Sequence, residues 1–74
     1  MNNDRRKLLE EARNLISQAK DLIEQAKDEE QDSFDNMPEG LQQSDRGQQM
    51  AENVSAMESA MYTLEQVSDE LEEL

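Results

Sequence analysis

The side chains able to do chemistry in this chain are almost all carboxylates: 19 Asp and Glu against 7 Lys and Arg, with no histidine and no cysteine. Without those two residue types, thiol and imidazole catalysis and the usual zinc ligands are closed. One chemistry left to carboxylates is cation binding. Asp28, Glu30, Asp32 and Glu39 fall at positions 1, 3, 5 and 12 of a helix–loop–helix calcium loop. The match breaks at Ser33, where the sharp turn needs glycine, and at Asp35, where an apolar residue is needed. Pro38 also interrupts the exit. A solvated, acidic helix end explains the cluster better, so no metal site is assigned. The other chemistry is acid–base catalysis by paired carboxylates. It requires a pocket in which burial or a neighbour separates two pKa values. Nothing in the pattern supplies such a pocket, and there is no phosphate-binding glycine loop and no nucleophile–base arrangement. The chain is expected to be non-enzymatic and to need no cofactor.

An acidic surface can also imitate nucleic acid. Glu58, Glu65 and Glu72 recur every seventh residue, about 10.5 Å apart on a helix, whereas phosphates on one DNA strand recur about every 3.4 Å. A single line is too sparse, and only a wider array across an oligomer does better. The net charge of −12 argues strongly against direct contact with nucleic acid. The charge is also uneven. Residues 1–27 hold six basic and five acidic side chains, while residues 28–74 hold Arg46 against fourteen acidic ones. Such asymmetry suggests that one part pairs with another, or with a partner.

Two elements must carry these groups, and a seven-residue repeat defines both. In "LLEEARNLISQAKDLIEQAKD", Leu8, Leu15 and Leu22 open three copies of one phrase, with Ala12, Ala19 and Ala26 four places on. Placing those leucines at heptad position d puts the alanines at a and Leu9, Ile16 and Ile23 at e. In the second segment Met50, Met57, Leu64 and Leu71 take d, Val54, Met61 and Ser68 take a, and Ala60, Val67 and Leu74 take g. The only proline and both glycines lie between the segments. Pro38 should end the first helix or open a short turn, and Ser44 before Asp45 is a helix cap. The expected architecture is all-α: one antiparallel two-helix coiled-coil hairpin over residues 1–74. Its parts are a helix over about 4–33, a structured connection over about 34–44 and a helix over about 45–73. Six layers share one antiparallel register: Leu8/Ser68, Ala12/Leu64, Leu15/Met61, Ala19/Met57, Leu22/Val54 and Ala26/Met50. The same register sets Arg6, Arg13 and Lys20 near Glu72, Glu65 and Glu58.

A 74-residue domain supplies only about 3–5 kcal/mol of net stability from its core unless something reinforces it. With no cysteine, self-association is the reinforcement left. Leu9, Ile16 and Ile23 on one flank, with Ala60 and Val67 on the other, are the expected assembly residues, building a four-helix bundle or higher even oligomer. No apolar run is long enough to cross a membrane, and "MNNDRRKLL" lacks the apolar core of a signal peptide, so a cytoplasmic location is expected.

The connection is long for a bare rod. Phe34, Met37 and Leu41 put three apolar residues into it, enough for a small cap, and Gly47 permits a close backbone approach. The stretch "EEQDSFDNMPEGLQQSDRGQQM", Glu29 to Met50, resembles a segment found in small acidic helical proteins of bacterial phages and prophages. The matching phrases are Phe34-Asp35-Asn36, Pro38-Glu39, Leu41-Gln42 and Ser44-Asp45-Arg46-Gly47. The likeness covers about a third of the chain. It implies a phage-associated protein acting inside a bacterium, with a host or phage protein as partner and inhibition of host machinery as its role. It carries no active residues. Phe34, Asp35, Asn36, Glu39 and Arg46 at the tip are the expected partner contacts. The alternatives are a nucleic-acid mimic that blocks a basic protein, or a purely structural assembly piece.

Overall fold

Asn2 opens the first helix. Its Oδ1 accepts a hydrogen bond from the Arg5 backbone N–H at 2.9 Å, satisfying one of the donors that every helix start leaves unpaired. The computed structural model describes residues 1–74, and from this cap α1 runs unbroken over Asn3–Asp35. It ends at Asn36, whose N–H still reaches the Asp32 carbonyl at 3.0 Å. Pro38, extended at φ −54° and ψ 141°, then caps a single turn, α2, over Glu39–Gln42. Proline suits this position because the N–H it lacks would have no helical partner. Ser44 opens α3, Asp45–Glu72, by accepting from the Gly47 N–H at 3.3 Å.

The long helices lie side by side and run in opposite directions. Near the chain termini Arg13 Nη2 is 3.1 Å from Glu72 Oε2, and Arg13 Nε donates to Ser68 Oγ at 3.3 Å. Further along, Lys20 Nζ is 3.6 Å from Glu65 Oε2. Near the connection Asn53 Nδ2 donates to Glu30 Oε2 at 2.9 Å. Rising numbers on α1 thus meet falling numbers on α3, and the molecule is an all-helical hairpin measuring 58 × 15 × 12 Å.

Two expectations about the seam are corrected. Leu8, Leu15 and Leu22 do not face α3; they are 65%, 59% and 68% exposed. Leu9, Ile16 and Ile23 take the seam instead, half-buried beside Ala12 and Ala19. The helix is turned by one residue, about 100°, from the expected setting. The pairing also slides. Arg13 meets Glu72 rather than Glu65, and Lys20 meets Glu65 rather than Glu58, each one heptad onward. The six expected layers dissolve with it: Ser68 lies beside Arg13, Leu9 shares a groove with Leu71, and Ala26 shares one with Met57. The physical reason is reach. With Leu9, Ile16 and Ile23 inward, Arg13 and Lys20 flank the seam and meet glutamates across it; the other rotation would leave them on the outer side. On α3 the expected inward residues hold, from Gly47 and Met50 through Val54, Met57, Met61 and Leu64 to Ser68 and Leu71. The core remains thin: Val54, 8% exposed, is the one buried apolar side chain.

Candidate functional site

The tip is built around the absence of a side chain. Gly47 is buried in the first turn of α3, against the backbone of the connection. A Cβ there would overlap the Gln42 carbonyl oxygen, lying 2.5 Å from its carbon and 2.7 Å from the Leu41 oxygen. Only glycine lets α3 start this close to α2. Ser44 Oγ donates to the Leu41 carbonyl, while Gln42 Nε2 donates to the Phe34 carbonyl at 3.0 Å. The connection is therefore tied to the ends of both long helices.

This frame decides what the tip shows to solvent. Phe34 and Met37 are half-buried, and Leu41 is 52% exposed, so the apolar cap has two members rather than three. Of the five expected partner contacts, Asp35, Asn36, Glu39 and Arg46 are exposed, and Phe34 turns partly inward. Asp35 accepts from Gln31 Nε2 at 2.9 Å, which fixes one carboxylate at the end of α1. The four cation-loop positions are dispersed: Asp28, Glu30 and Asp32 lie within continuous α1, and Glu39 begins α2. No three carboxylates converge as a metal site would need. Glu30 is half-buried and tied to Asn53, whose Oδ1 in turn accepts from Gln49 Nε2 at 2.9 Å.

The two long sides of the hairpin differ. One carries the polar ladder of Arg13, Lys20, Glu65 and Glu72, over a groove also lined by Ser68 and Asp69. The other side carries Leu8, Leu15 and Leu22 from α1. On α3, exposed Ala60 and Val67 (37% exposed) fall on that same side by helical spacing, whereas Leu74, beyond the end of α3, lines a groove with Arg6, Glu10, Arg13 and Glu72. Of the expected assembly residues, Leu9, Ile16 and Ile23 therefore lie between the helices, whereas Ala60 and Val67 stand on the open side. Leu8, Leu15 and Leu22, expected in the core, stand on the open side with them. A signal that distinguishes the two settings was present in the charges. Arg6, Arg13, Lys20 and Lys27 recur every seventh residue, as do Glu58, Glu65 and Glu72, and these lines flank one seam only if Leu9, Ile16 and Ile23 fill it.

No helix is long and apolar enough to cross a membrane. Comparison with protein-family models, with curated proteins and with solved structures finds no match to this chain.

Proposed function

We propose that this protein is a non-enzymatic binding module: a helical hairpin that assembles through its open apolar side and engages another protein through its tip. The observation that carries the reading is the line of Leu8, Leu15 and Leu22, each well over half exposed on a chain that buries one apolar side chain. Apolar surface of this kind, bordered by polar residues, favours association, because covering it removes it from water. The tip offers a different chemistry. Asp35, Asn36, Glu39 and Arg46 are exposed on a connection held by its own hydrogen bonds, so their binding does not first have to order the loop. The phage-like segment spans this tip, which supports a host or phage protein in a bacterial cytoplasm as the partner and inhibition as the outcome.

The test is capture from bacterial lysate at physiological salt by the native chain and by two variants. One replaces Asp35, Asn36, Glu39 and Arg46 with alanine; the other is Leu15→Lys. A specific partner retained by native protein and lost by the tip variant is the expected result. A partner lost only with Leu15→Lys would move external binding to the open side, and the absence of any partner besides the chain itself would leave a structural assembly piece. Nucleic-acid mimicry is separated by salt: a basic partner released steeply as salt rises would replace the tip-specific reading.

A further inference from the structure

We propose that Met57 and Met61 form an oxidation-sensitive site: hydrogen peroxide converts their thioethers to sulfoxides, and the middle of the hairpin opens in response. The chain holds five methionines and no cysteine, so the thioether is its only oxidisable sulfur. Their placement is uneven. Met50, Met57 and Met61 lie on the inward face of α3, while the inward line of α1 uses Leu9, Ile16 and Ile23. The bonds from Lys20 to Glu65 and from Glu30 to Asn53 bracket one segment of the seam. Within it α3 turns four apolar side chains inward, Val54, Met57, Met61 and Leu64, and two of the four are methionine.

Access and consequence coincide at these two positions. A methionine sealed in a core is protected, and one on an open surface is oxidised without effect. Met57 and Met61 are half-buried, and Met57 lines an open groove with Ala26 and Ala56. A small oxidant reaches their sulfurs without unfolding the chain. In the reaction the O–O bond of the peroxide breaks, one oxygen joins Sδ and the other leaves as water. The sulfur is oxidised, and the peroxide reduced, by two electrons. The product is a polar S=O group that needs a hydrogen-bond donor. The half-buried donors of this segment are all committed: Lys20 to Glu65, Asn53 to Glu30 and Lys27 to Asp28. The sulfoxide is therefore driven to turn out to water, withdrawing its side chain from a seam in which Val54 is the one buried apolar residue. A thick core would absorb that loss; a chain this short has little to replace it. Methionine sulfoxide reductases, with a dithiol as reductant, return the thioether, so the change is reversible.

The test treats the purified chain with hydrogen peroxide at one fixed protein concentration. Peptide mass spectrometry maps each sulfoxide, and circular dichroism follows thermal unfolding. Oxygen is expected on Met57 and Met61 of the folded chain. The unfolding midpoint should fall by roughly 5–15 °C, the shift for losing one or two half-buried side chains from a domain of this size. Sulfoxide reductases A and B with a dithiol should restore it. The double variant Met57→Leu, Met61→Leu keeps the apolar volume. It should hold its midpoint under peroxide, although its other methionines, exposed Met1 included, are still oxidised. If the double variant does not fold, Met57→Leu and Met61→Leu decide singly, each expected to fall less than native protein. A folded chain oxidised at Met1 but not at Met57 and Met61 would show the seam closed to peroxide and overturn the proposal. So would both sulfoxides with an unchanged midpoint, or leucine variants that fall as far as native protein. None of these readouts involves a partner, so their failure leaves the binding role of the tip untouched.

Discussion

Single atoms set the tip. Gly47→Ala adds one methyl group where the Gln42 and Leu41 backbone already stands, and the neighbours cannot yield as a flexible side chain would. We expect a loss of about 1–3 kcal/mol, as for overpacking at other tight sites. Thermal unfolding followed by circular dichroism measures it, and an unchanged midpoint would show that α3 can start further out. Ser44→Ala removes an acceptor for the Gly47 N–H and a donor to Leu41, and should cost about 1 kcal/mol. Asn53 acts at the other side of the tip, joining Gln49 to half-buried Glu30. Its replacement by alanine leaves the Glu30 carboxylate without that donor in a partly dry seam, whereas Asn53→Asp sets two carboxylates together. The aspartate should therefore destabilise more than the alanine; the reverse order would mean that the seam is wet at this point.

At the level of elements, the pairing of α1 with α3 can be read by a double-mutant cycle. Arg13 and Glu72 should couple by less than 1 kcal/mol, because both side chains reach solvent, at 34% and 63% exposure. Arg13 and Glu65 should not couple at all. Coupling of the second pair would restore the register that the heptads alone suggest. The contrast shows which parts of the fold the sequence made legible. The caps at Ser44 and Pro38 were readable because each residue type has a local reason to stand there. The inward face of α3 was readable because most of its large apolar residues, Met50, Val54, Met57, Met61, Leu64 and Leu71, occur at a and d. On α1 each heptad begins with two adjacent apolar residues, Leu8-Leu9, Leu15-Ile16 and Leu22-Ile23. Periodicity is the same for both lines, so it does not say which one meets the partner helix. The surface follows the same division: the exposure of Asp35, Asn36, Glu39 and Arg46 follows from their place in the connection, whereas the open side depends on a rotation of α1 that periodicity leaves undecided.

For the whole molecule, charge and a thin core combine. The net −12 and the acidic tip mean that self-repulsion outweighs the few solvent-exposed ion pairs. Raising salt from low to physiological strength should therefore raise the unfolding midpoint; a fall would show that the ladder of Arg13 and Lys20 dominates. If a second copy covers the open side, the midpoint should also rise with protein concentration, since binding only the folded form stabilises it by mass action.

The tightly tied connection has a kinetic meaning as well. The bonds across the hairpin span steadily longer stretches of sequence, from Gln42 with Phe34, through Asn53 with Glu30 and Lys20 with Glu65, to Arg13 with Glu72. Each closes a larger loop than the one before, but once the first is made the next closes only a short additional segment. The hairpin is thus a zipper with its slider at Pro38–Gly47. Damage there should slow folding, while Leu71→Ala at the far end should leave the folding rate alone and hasten opening.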